Sequence, residues 1–202
     1  MSHKLLWIIA GVLLLPVVLV IVSALSNIGL PTRSSVVERL SDVEKSRIAE
    51  YFRLRRTLGG EVWPGWGDAE IPVIVHNEAY AFLVGYSGEP ADGWTMMPSG
   101  EQRGGAWAPV PGDDFLGAPY YRQPLPGAGK TPENFTVRVG DVWVATLQTK
   151  EYSAIAFYQG FREELPGFIA EIFPYRLMWR LLIDSSETYI GAMAHEAFHA
   201  FQ

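Results

Sequence analysis

Residues 5–25, LLWIIAGVLLLPVVLVIVSAL, run for 21 positions without a charge. As a helix the run would reach about 31 Å, close to the roughly 30 Å hydrocarbon thickness of a bilayer. It has no polar face, so it does not fit the surface of a water-soluble bundle. Trp7 lies near one end, where an indole suits the headgroup region, and Pro16 in the middle is tolerated better in a bilayer than in water. The sequence therefore predicts a single membrane anchor. The competing reading is a cleaved signal peptide ending near Val22-Ser23-Ala24, but signal cores are shorter, about 7–15 apolar residues. Arg33, Arg39 and Lys45 follow the run and by loop charge favour a cytoplasmic domain. Export of a domain behind one apolar segment is the commoner arrangement, and the expected location is extracytoplasmic.

What remains is one domain of ordinary size. The expected division is an anchor and linker over 1–33 and a globular domain over 34–202. The 202 residues carry 16 basic and 22 acidic side chains, and a net charge of −6 argues against general nucleic-acid binding. There is no cysteine, which excludes disulfides, thiolate metal sites and a thiol nucleophile.

Local patterns predict an α+β fold. Ser41 and Glu44 have the spacing of a reciprocal capping box. The helix they open carries Ile48, Tyr51, Phe52 and Leu58 and is expected to stop at Gly59-Gly60. Arg53, Arg55 and Arg56 near its end read as solvated charges. Residues 71–77 and 79–87 predict a pair of strands, with His76 an ordinary strand-end residue. Residues 88–132, rich in Gly and Pro, predict a long irregular loop whose aromatics tack it to the surface or line a cleft. Residues 135–149 predict a hairpin or a bulged strand around Gly140-Asp141. Residues 162–184 predict helix broken near Pro166 and Pro174. Asp184-Ser185-Ser186-Glu187 opens a last helix.

That last helix contains His195-Glu196-Ala197-Phe198-His199. At about 100° per residue, His199 lies about 40° from His195, so both imidazoles share one face and can reach one ion from successive turns. Thr188, Gly191 and Ala192, one turn earlier on that face, are small. Ile190, Met193, Ala194, Ala197 and Phe201 are expected to form the apolar side. Glu196 points about 100° from His195, away from direct ligation but towards a water on the metal. A bland alternative is a surface helix whose histidines merely titrate.

On these residues the chain resembles the zincin metallopeptidases. The resemblance implies that His195 and His199 ligate Zn2+ and that Glu196 is the general base, activating a zinc-bound water against a peptide carbonyl. It also implies a zincin-like mixed sheet above the active-site helix, with a sheet edge holding an extended peptide; 135–149 or the 71–87 pair could supply that edge. The specific motif covers five residues. Metzincins continue with glycine where this chain has Gln202, so the pattern is closer to the gluzincins, whose third ligand follows downstream. The third ligand is accordingly expected beyond residue 202, and the chain is expected to be the N-terminal part of a longer protein, inactive alone. Glu163, Glu164, Glu171 and Asp184 read as solvated or capping residues. Two further functions compete: an envelope domain that binds a partner through its aromatic loop, and a metal-binding protein without hydrolysis.

Overall fold

The structure, a computed structural model, describes residues 3–127 and 130–202; for residues 4–6, 8–11 and 13 it describes the backbone alone. Among the described residues six helices and eight strands follow in the order α1 (His3–Ser26), α2 (Asp42–Val62), β1 (Val73–His76), β2 (Tyr80–Val84), β3 (Trp94–Met96), β4 (Gln102–Arg103), β5 (Ala108–Pro109), β6 (Tyr121–Pro124), β7 (Thr136–Val139), β8 (Val142–Gln148), α3 (Lys150–Glu164), α4 (Gly167–Ile172), α5 (Tyr175–Leu182) and α6 (Ser186–Phe201). The chain divides into two compact units, 1–32 with 154–184 and 33–153 with 185–202.

The first unit contains α1, most of α3, α4 and α5. The apolar run 5–25 lies on α1, with Pro16 inside the helix. Among the described residues no helix is long and apolar enough to cross a membrane; the side chains of 4–6, 8–11 and 13, much of the N-terminal half of that run, lie outside them. The far end of α1 is fastened to α4: Ser23 Oγ donates to the Ile172 carbonyl, and Asn27 Nδ2 donates to the carbonyls of Glu171 and Phe173 at 3.2 and 2.8 Å. Tyr158, Tyr175 and Trp179 form this unit's buried centre. The predicted breaks at Pro166 and Pro174 are present, since each proline stands immediately before a short helix.

The second unit is α+β, built on a curled mixed sheet ordered β4-β3-β7-β8-β1-β2-β6-β5. β1 and β8 run parallel, with His76 opposite Gln148, and the other pairs are antiparallel. β1 is buried along its whole length. Val73 and Val75 join the cluster that contains α2 and α6, while Ile74 joins the cluster on the other face. A Val-Ile-Val run suits this central, doubly covered position. Val139 pairs with Val142 across the two-residue turn Gly140-Asp141, where Gly140 has φ +58°, so the hairpin alternative is the one adopted.

Several expectations are corrected. Residues 88–132 supply β3 to β6 at the two flanks of the sheet rather than one irregular loop. Trp94, Trp107 and Tyr120 are 0%, 9% and 1% exposed, so they are core residues and neither tack a loop down nor line an open cleft. The strands within 71–87 and 135–149 occupy the middle of the sheet; its edges are β4 and β5. α2 continues through Gly59-Gly60 to Val62. Gly59 marks a close approach instead of a stop, because a Cβ there would lie 2.9 Å from the Gly67 backbone. Ser41 caps α2 by accepting from the Glu44 N–H, but the Glu44 carboxylate does not fold back to it. Arg55 is buried, donating to Tyr51 Oη and the Ile71 carbonyl, while Arg53 remains at the surface on Glu50. Residues 150–161, to which the sequence assigned no element, are helical as part of α3.

Candidate metal centre on the last helix

Ser185 opens α6 by accepting the Thr188 N–H on its hydroxyl at 2.9 Å, as the polar run before the motif predicts. The helix then packs beneath β8 and β7 and against α2. Its buried residues are Tyr189, Met193, Ala197 and Ala200. Spacings of four, four and three keep these on one side of a 3.6-residue helix. Relative to the expected stripe, this side is rotated towards Tyr189 and Ala200, while Ile190, Ala194 and Phe201 are only partly buried. By the 100° period the buried side centres about 135° from the direction midway between His195 and His199.

Both histidines are exposed, and their Nε2 atoms are 3.1 Å apart with the rings nearly perpendicular, at 85°. Two nitrogens at about 2.0–2.1 Å from a tetrahedral ion would stand about 3.3 Å apart. The pair therefore has the bite of a two-imidazole chelate. Among the described residues no group of three His, Cys, Asp or Glu is placed to hold a metal ion. The fit to Zn2+ covers two ligands and does not reach a third. In particular His76 is 1% exposed in the body of the sheet, edge-on to Tyr152 at 5.9 Å between ring centroids. Burial pulls its pKa down to about 4, against the weaker opposing effect of the Asn77 backbone. Glu171 pairs with Arg162 at 2.6 Å.

Glu196 lies between the buried and the exposed side of α6 and is half-buried. Burial raises its pKa, and the two neighbouring histidines act in the opposite direction. A carboxylate moved up from the ordinary range is a better proton acceptor near neutrality.

Residues beyond the motif build its surroundings. The Phe135 ring lies 6.4 Å from that of His199. Thr146 on β8 fixes the backbone that presents it, donating to the Glu133 carbonyl at 2.6 Å and accepting the Phe135 N–H at 3.0 Å. Trp66 and Trp63 meet Phe198 edge-on at 5.1 and 6.0 Å. Near the start of the helix, the Tyr189 hydroxyl donates to the buried Glu44 carboxylate and stands 2.9 Å from the Gln148 carbonyl. Arg47 and the Lys150 N–H complete the set around Glu44, at 3.1 and 3.4 Å. Burial raises the Glu44 pKa, opposed by the hydrogen bonds from Tyr189 and Arg47. This clasp joins α2, the end of β8 and α6. No local sequence signal announced it: Tyr189 is four residues beyond a cap, and Glu44 reads as half of a capping box. An apolar groove between α2 and α6, lined by Leu54, Leu58, Trp66, Ile190 and Ala194, opens on the flank of α6 opposite Glu196.

Compared with protein-family models, curated proteins and solved structures, the chain matches none.

Proposed function

We propose that the chain carries part of the active site of a membrane-anchored, zinc-dependent metallohydrolase of the zincin type, acting on peptide bonds. The observation that carries this is the 3.1 Å Nε2–Nε2 separation of two exposed imidazoles on one helix face, with Glu196 on the next flank. His195 and His199 would hold the metal. Zinc held there would supply a Lewis acid to polarise a carbonyl and to make water a better nucleophile near neutral pH. Glu196 takes a proton from the attacking water and delivers it to the leaving amine as the C–N bond breaks. Its partial burial, which raises its pKa, suits it to that exchange. The Phe135 ring, 6.4 Å from that of His199, would form one wall of the approach to the pair. The membrane anchor is the run 5–25, whose described side chains from Leu14 to Val22 face outward. The domain lies outside the cytoplasm.

A catalytic zinc takes three protein ligands as a rule, so these 202 residues alone should bind zinc weakly and reach full affinity only where a third ligand is supplied. Zinc titration of the detergent-solubilised chain tests the pair. Binding weaker than micromolar, lost in both His195→Ala and His199→Ala, is expected. Equal binding by the double variant would sink the assignment, and tight stoichiometric binding would show a third ligand within these 202 residues. The alternative of partner binding through aromatics in 88–132 loses support from the burial of Trp94, Trp107 and Tyr120.

A further inference from the structure

The helices fastened to the end of α1 have an outward face that their own packing does not explain. In α5, Tyr175 and Trp179 point into the buried centre of the first unit. Leu177 and Leu181, also four apart, fall on the opposite side of the helix and are 53% and 70% exposed. Leu182 and, on α4, Phe168 are exposed at 61% and 74%. A short helix on a water-facing surface would carry polar residues at such positions. Arg176 and Arg180 lie along the same helix, and Arg176 donates to the Gly29 carbonyl at 2.6 Å.

We infer that α4 and α5 form a second lipid-contacting element, lying in the headgroup region of the bilayer that α1 enters, an inference that rests on the anchored reading above. Three observations select lipid as the occupant. α4 packs against α1, whose exposed apolar side chains extend to Leu25. The contacts of Ser23, Asn27 and Gly29 hold α4 and α5 at the polar end of α1, the level at which an inserted helix meets the headgroups. Arginines beside outward leucines are the composition of an interfacial helix, since the long side chains carry their charge to phosphate while their stems stay in apolar surroundings. The consequence is a fixed stance: two contacts, one deep and one shallow, restrain the first unit against rotation about the axis of α1.

The chain has no cysteine, so single-cysteine labelling is clean. The full chain is reconstituted in vesicles of phosphatidylcholine and phosphatidylglycerol at 3:1, with bimane on Leu181→Cys, Phe168→Cys, Val18→Cys or Glu89→Cys. Lipids carry a nitroxide either at the headgroup or deep in the acyl chain. Leu181 and Phe168 are expected to be quenched at least twofold more by the headgroup nitroxide than by the deep one. Val18 should show the reverse, and Glu89 should respond to neither. If Val18 is quenched by the deep probe while Leu181 and Phe168 behave like Glu89, the interfacial face is refuted and the anchor stands. An unquenched Val18 refutes the anchor and the inference with it. Lipid-independent disulfide formation between two copies at Leu181→Cys would show that a second chain covers the face, which also overturns it.

Discussion

His76 and the His195/His199 pair are the same kind of side chain in opposite circumstances. His76 closes a central strand, 1% exposed, with its pKa pulled down to about 4 by burial. The pair stands on the outer face of α6, exposed, with its two Nε2 atoms 3.1 Å apart. The first histidine serves as a neutral core residue. The second arrangement contributes little to the core and is therefore free to serve chemistry. Access and mutual direction, more than residue type, separate a structural imidazole from a ligand.

Substitutions can break this contrast. On the proposed reading the largest effect is expected from Glu196→Gln: any zinc-dependent peptide hydrolysis should fall about 10²–10⁴-fold with zinc affinity unchanged. A parallel loss of zinc would move Glu196 from base to ligand. Next is the acid limb of stability. Between about pH 6.5 and 4 the unfolded chain protonates His76 and the folded chain does not, so stability rises with pH through that window. The difference is on the order of 3 kcal/mol. Urea titrations of His76→Leu should show that part of the slope removed. An unchanged slope would mean that His76 takes up its proton while folded.

Smaller effects sharpen the contrast. Tyr189→Phe removes a donor from the buried Glu44 carboxylate and should cost about 1–3 kcal/mol in thermal or chemical unfolding. Ser185→Ala removes the cap of α6 and should cost about 1 kcal/mol. Last come His195→Ala and His199→Ala, each expected to change stability by no more than about 0.5 kcal/mol without metal, as exposed positions do. A large destabilisation there would make the pair structural after all.

How far the sequence could be read depended on whether an element declares itself locally. α6 did, through a capping serine and a helical motif, and so did the Val-rich hairpin around Gly140-Asp141. β3 to β6 did not, because strands of two to four residues between glycines and prolines exist only through partners distant in sequence. Trp94 and Trp107 looked like loop aromatics for that reason. Three neighbouring arginines gave no hint that Arg55 alone turns inward, since its acceptor, the Ile71 carbonyl, comes from another segment. At the candidate site the shared face of His195 and His199, with Glu196 on the next flank, was legible from helical spacing. Phe135 was not, as its place beside His199 follows from the packing of β7 and β8 on α6.

The clasp of Glu44 and Tyr189 has a mechanical side. Tyr189 precedes His199 by ten residues, a distance of about 15 Å along the helix axis. At the far end Ala197 and Ala200 are buried, and Phe198 packs edge-on against Trp63 and Trp66. α6 is thus held at both ends, and the hold matters because a tilt of about 4° at Tyr189 would carry the histidines through about 1 Å, a displacement that costs on the order of a hundredfold in rate when it separates reacting groups.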